Sequence, residues 1–127
     1  MNRQFIEAYY AAYNSEDPTL LQKFYADDVV LISAQGELRG AAAILATYRF
    51  LTEQFYDRMT PEQIVIDGNT AVVDIIDIFT AKRDVADFMG MALRAGETLE
   101  LRLRGTYTVA AAVNDKKFTR IVIELLA

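Results

Sequence analysis

The feature that most constrains this fold is a strand pattern too long to be straight. Residues 97–113 read as one strand with a single glycine, Gly105, in its interior. At ~3.3 Å per residue such a strand would reach over about 50 Å, too far for a domain this small, so the sheet containing it must bend. A glycine in mid-strand often marks a bulge or kink, and Gly105 is the expected place.

The neighbouring patterns build the rest of the sheet. Residues 63–66 form a short strand, Asp67-Gly68-Asn69 a hairpin turn, residues 70–82 a long strand, and residues 117–125 a last strand after a turn at Asn114-Asp115. The first half has a different period. Residues 3–14 place Phe5, Tyr9, Ala12 and Tyr13 on one helical face. Asp17-Pro18 is an N-cap followed by proline at the first position of a short helix. Residues 28–34 are a strand apolar on both faces, and 37–39 a short second strand. Gly40 opens a long helix to about Met59, striped by Ile44, Tyr48, Leu51 and Phe55. The expectation is a single α+β domain over residues 1–127. Its strongly curved, mainly antiparallel sheet wraps around three helices from the N-terminal half.

Composition removes several functions. There is no cysteine and no histidine in the 127 residues. Thiol nucleophiles, disulfides and the usual neutral-pH base are therefore excluded, and so is the commonest metal ligand. The net charge of −5 argues against nucleic acid, which demands a basic face. No apolar run approaches a membrane span, and no signal peptide is apparent, so a cytoplasmic protein is expected.

The stretch FIEAYYAAYNSEDPTLLQKFYADDVVLISAQGELRG resembles the opening of SnoaL-like and ketosteroid-isomerase-like proteins of the nuclear-transport-factor-2-like superfamily. There an aromatic-rich helix leads to an acidic turn, F/Y-A-D-D, a strand, and a glycine before the third helix. The resemblance implies a cone-shaped mixed sheet around the helices, a pocket at its mouth, and a homodimer through the sheet. It also implies that Asp27 and Asp28 are structural junction residues.

The isomerase chemistry of the group needs an Asp base, with a Tyr and a protonated Asp as oxyanion donors. By the resemblance, the Tyr falls on Tyr9 and the base on Ser33. The third position falls near residues 106–108, where no carboxylate occurs. Serine without an activating neighbour cannot take a carbon-bound proton, so that chemistry is not expected. The histidine common among polyketide-cyclase relatives is absent too. The Asp–Arg–Asp set of limonene-epoxide-hydrolase relatives needs a carboxylate facing the pocket.

One carboxylate qualifies. Asp77 interrupts the apolar stripe Val73, Ile75, Phe79, while Asp74 takes the other face with Ile76 and Ile78. If the Asp77 face is concave, burial raises its pKa toward acid–base use. Alternatively it pairs with an arginine, or meets solvent or a partner subunit. Arg102 and Arg104 share a face with Glu100, Thr106 and Thr108, read as a polar outer surface or as a clamp for an anion. Residues 84–96 carry Phe88, Met89, Met91 and Leu93 between two strands, as a lid, a short helix or an interface.

Two functions follow as expectations. In the first, the cone binds a small, mostly apolar molecule, with Asp77 as acid–base candidate and Tyr9 as oxyanion donor. Tyr13, Leu31, Ser33, Tyr48, Phe55, Phe79, Met89 and Tyr107 would contact the ligand, with no metal or organic cofactor. In the second, the protein is a non-catalytic binding or dimerisation module with a vestigial pocket.

Overall fold

In the computed structural model, which describes residues 1–110 and 116–126, a six-stranded sheet packs against helices from the first half of the chain. Helix α1 (Arg3–Asn14) starts at Asn2, whose side chain accepts from the Phe5 N–H. Helix α2 (Pro18–Leu21) is capped by Asp17 and runs into a 3-10 turn, Gln22–Phe24. Strands β1 (Tyr25–Ser33) and β2 (Gly36–Arg39) form a hairpin, and helix α3 (Ala41–Gln54) follows. Asp27 and Asp28 are exposed inside β1, where its register shifts against the neighbouring strand.

The second half is β3 (Phe55–Asp67), β4 (Thr70–Ala81), β5 (Val85–Phe88), β6 (Met91–Leu93), β7 (Thr98–Val109) and β8 (Phe118–Leu125). The order in the large sheet is β2-β1-β8-β7-β4-β3, with β1 and β8 parallel and every other pair antiparallel. The fold is therefore α+β with a mixed, mainly antiparallel sheet.

Several boundaries differ from the sequence reading. Helix α3 ends at Gln54, and Phe55 begins a strand more than twice as long as expected. From Phe55 the burial alternates: Phe55 and Asp57 are buried, Tyr56 and Arg58 exposed. Phe55 fits both the i+4 helical stripe and this period-2 run, so the stripe hid the switch. Pro61 is tolerated because β3 is an edge strand, and the register slips there, between Pro61 and Gln63. Strand β7 ends at Val109; the expected continuation over 111–113 and the turn at Asn114-Asp115 lie outside the described residues.

Gly105 makes no bulge against β4, since it pairs in unbroken register with Val73. It is a seat for an aromatic ring: a Cβ there would lie 2.6 Å from the Tyr107 ring. Residues 84–96 form a second, two-stranded sheet, β5 with β6, not a helix. Its turn, Met89-Gly90, takes positive φ at both residues (54° and 82°), the hairpin geometry that glycine favours.

The main core joins Ile6, Tyr9 and Tyr10 of α1 to Val29, Val73, Tyr107, Phe118 and Ile121 of the sheet. A second cluster sits under the β5–β6 hairpin and joins Phe55, Phe79, Ala81, Val85 and Leu93, with Phe88 packed on it. The gap between these two clusters positions the site.

Candidate functional site

Strand β4 faces the helices with Ala71, Val73, Ile75, Asp77, Phe79 and Ala81, all buried, so the Asp77 side is the covered one. Asp77 is 1% exposed and Asp57 5%; they are the buried charged-type residues among those described. In the β3–β4 register, Met59 opposes Asp77 and Asp57 opposes Phe79. The two aspartates are thus diagonal neighbours on one face of the sheet, within hydrogen-bonding reach of each other.

Helix α1 completes the group. The Tyr13 hydroxyl donates to Asp57 Oδ2 at 2.6 Å, and Tyr48 donates to the Tyr13 carbonyl. Next to Tyr13, the Asn14 amide donates to the Met59 carbonyl and accepts from the Met59 N–H, both at 2.8 Å. These two hydrogen bonds fix the free edge of β3 opposite Asp77. Oδ1 of Asp57 and Oδ1 of Asp77 are buried and have no other hydrogen-bond partner among the described residues.

The electrostatics follow from burial. Both carboxyls are pushed up from their ordinary range, chiefly because the ionised form loses water. For Asp77 the hydrogen bond with Asp57 and the Asp57 charge raise it further. For Asp57 the hydrogen bonds from Asp77 and Tyr13 act the other way. Two adjacent buried carboxyls cannot both ionise, so the pair keeps a proton, placed on Asp77, which its neighbour raises further. Tyr13 is held well above its usual pKa, by burial first and then by the charge of Asp57, so it stays a neutral donor.

The pair stands on the wall of a cavity of about 230 Å³. Leu31, Leu51, Met59, Phe79, Phe88, Leu101, Leu103 and Ile123 supply apolar walls, and Ser33, Gln35 and Thr47 add neutral polar groups. Among the described residues no lysine or arginine lines it. Phe88 and Met89 reach it from the β5–β6 hairpin, and the Phe88 ring lies 4.5 Å from Phe55 and 4.9 Å from Phe79. The apolar loop segment therefore covers one side of the cavity.

Of the residues singled out from sequence, Asp77, Tyr13, Leu31, Ser33, Phe79 and Met89 line this cavity. Tyr9, Tyr48, Phe55 and Tyr107 do not. Tyr9 is buried in the main core with its hydroxyl 2.9 Å from that of Tyr25, and Tyr107 pairs with Tyr10 at 2.8 Å. Tyr48 supports Tyr13 from behind. The donor that meets a carboxylate is Tyr13, one helical turn after Tyr9. Asp57 was not found from sequence because it fell within the expected helix; its signal was the alternation Phe55, Asp57, Met59, matching Ile75, Asp77, Phe79 on β4. Arg102 and Arg104 lie on the outer face, paired with Glu62 at 3.1 Å and Asp74 at 2.9 Å. They form no clamp in the cavity.

Residues 6–121 match the SnoaL-like domain. The chain belongs to the SnoaL-like family. No sequence among curated proteins matches it. Its fold is similar to that of TsrD from Streptomyces laurentii, with 20% identity, coverage of 99% of this chain and 91% of that one, and a TM-score of 0.75. An LEH-like epoxide hydrolase from M. tuberculosis is similar at 15% identity, with 96% and 80% covered and a TM-score of 0.74. An NTF2-like protein from Cytophaga hutchinsonii is similar at 10% identity, with 97% and 88% covered and a TM-score of 0.68. At these identities the likeness establishes the fold of this SnoaL-like chain and not its chemistry. No helix of the described residues is long and apolar enough to cross a membrane.

Proposed function

We propose that this SnoaL-like protein binds a small, mostly apolar organic molecule in the cavity and performs acid–base chemistry on it. The observation that carries this reading is the Asp57–Asp77 pair, buried on an apolar wall with one unpartnered oxygen on each residue. A cavity of ~150 Å³ with apolar walls already takes benzene, so 230 Å³ suits a ligand of one ring or similar bulk.

The roles follow from the proton balance. Asp77 holds the proton and acts as general acid. Asp57, held in place by Tyr13, is the base. Tyr13 gives its single O–H to Asp57 Oδ2 and so orients the base, and the hydrogen bond to developing negative charge that the resemblance assigned to Tyr9 comes instead from protonated Asp77. Both carboxyls stand on one wall, so a proton leaves and returns from the same side of the ligand. This favours isomerisation or cyclisation through an enol over chemistry that needs acid and base on opposite sides.

The test is a panel of small enolisable ketones, enones and epoxides assayed with the wild type and with Asp77→Asn. A loss of about 10²-fold or more in kcat is expected; unchanged turnover would end the catalytic role of Asp77. Binding in the cavity without turnover of any member would favour the non-catalytic module instead.

Two further readings belong to this proposal. The outer face carries Val65 at 50% exposure with the half-buried Val72, Ile76 and Ile78, which supports a homodimer through the sheet. Sedimentation at micromolar concentration should give twice 14.3 kDa, and a monomer would refute it. The proposed location is the cytoplasm, with which the absence of cysteine is compatible.

A further inference from the structure

We propose that the polar group this cavity accepts is a protonated amine, so that the ligand class is a small organic ammonium with an apolar body. The inference rests on the proposed occupancy of the cavity by a small molecule, and not on catalysis.

Ionised at one carboxyl and protonated at the other, the pair carries a single negative charge, and among the described residues the cavity wall contains no cation to balance it. Every arginine or lysine in an ion pair among the described residues is engaged elsewhere: Arg3, Arg39, Lys82, Arg102 and Arg104 pair with Glu7, Glu37, Glu16, Glu62 and Asp74. A buried charge without a partner is among the costliest arrangements a protein holds. Tyr13 offsets part of it through Oδ2 of Asp57, and beyond the bond between the two carboxyls no other group among the described residues donates to either of them. Carboxylate oxygens are acceptors, and an anion brings only acceptors of its own. An ammonium brings N–H donors and a positive charge together. Bound at Asp57, with the shared proton retained, it makes the site neutral: −1 from the pair and +1 from the ligand.

The surrounding wall fits the same ligand. Phe79, Phe88 and Tyr13 present aromatic rings, and Met59 and Met89 thioethers. Aromatic faces attract a cation, more so when water is excluded. The apolar remainder holds the body of the molecule.

The experiment uses the full chain and three ligands of one shape: benzylammonium, benzyl alcohol and benzoate. Each is titrated at about 0.15 M ionic strength, where attraction by the surface charge is screened, and read by calorimetry and by amide shifts of cavity residues. Benzylammonium is expected to bind at least about tenfold tighter than the alcohol, the advantage of a charge-assisted hydrogen bond over a neutral one, with benzoate weakest. The double variant Asp57→Asn, Asp77→Asn should bind benzylammonium no tighter than benzyl alcohol, with the ammonium preference gone. Benzyl alcohol binding in the cavity as tightly as benzylammonium, or tighter, would overturn the ammonium proposal and leave the occupancy reading standing. Binding of none of the three up to millimolar concentration would overturn both. An ammonium preference that persists in the double variant would place the effect on the surface and overturn the proposal. If that variant does not fold, the comparison of ligands on the wild type decides alone.

Discussion

Two regions of this molecule bury polar groups among aromatic rings, and they do so to opposite effect. In the main core, four tyrosines close on one another: Tyr9 with Tyr25 and Tyr10 with Tyr107. Each hydroxyl has a partner, and the rings of Tyr9, Tyr107 and Phe118 pack edge to face or tilted within 4.9–5.5 Å. At the cavity wall, Asp57 and Asp77 have each other and one helper, Tyr13, and each keeps an oxygen that no other group among the described residues bonds. A polar group that satisfies itself makes structure. One left unsatisfied beside a cavity is held there at a cost that packing elsewhere offsets, which is the pattern of a functional site.

The largest expected effect separates the two regions by pH. The folded pair keeps a proton that unfolded aspartates release near pH 4. Its folded pKa is raised, so its contribution to stability is complete below about pH 4 and is lost as the pH climbs toward the folded value. The slope is at most about 1.4 kcal/mol per pH unit for one proton, which makes about 4 kcal/mol between pH 4 and pH 7 an upper bound. Asp77→Asn has no such proton to lose. Denaturation of the two proteins across this range should therefore diverge, with the variant gaining stability over the wild type as pH rises. The tyrosine pairs, also pushed up by burial, affect only the alkaline limb. Parallel profiles for wild type and variant would mean that the pair does not share a proton.

A smaller effect tests the closed region. Tyr10→Phe leaves the buried Tyr107 hydroxyl alone and should cost about 1–3 kcal/mol in chemical denaturation. Adding Tyr107→Phe removes the orphan, so the double variant should recover part of that loss. Activity and ligand binding should be unaffected by either. A double variant at the additive sum of the two single losses would show that the hydroxyls contribute independently and that the core is not closed as described.

The contrast between the regions also explains what the sequence revealed. The order of elements was legible because each has a clean period: the stripe on α1, the cap at Asp17-Pro18, and the alternation on β4 that turns Asp77 and Asp74 to opposite faces. Half of the aspartate pair was therefore visible. The other half was hidden by Phe55, which satisfies the helical stripe of α3 and the strand period of β3 at once, so Asp57 fell on the apparent outer face of a helix. The choice between Tyr9 and Tyr13 was hidden for a different reason. They lie four residues apart on one stripe, and only the crossing of α1 over β3, fixed by Asn14 and Met59, decides which hydroxyl meets the sheet at a carboxylate. Local pattern gives faces; depth along a face is a tertiary property.

The smallest expected effect lies on the outer surface and sharpens the comparison by its absence. Arg104 and Asp74 form a 2.9 Å ion pair, and both are polar groups on the same strands that carry the cavity wall. Their side chains, 44% and 31% exposed, keep their water, so little desolvation is at stake in either direction and salt screens what remains. Arg104→Ala should leave cavity binding and the shape of the pH profile unchanged within error. On β4, Asp74 and Asp77 are the same residue type three positions apart, and only one of them is buried. Substituting the partner of the outer aspartate should matter no more than a surface change, while substituting the inner aspartate should move pH dependence, ligand preference and turnover together. If Arg104→Ala altered the pH profile as Asp77→Asn is expected to, charge on the outer face would be reaching the pair through the sheet, and the inner wall would not be the isolated, desolvated environment from which its chemistry is argued.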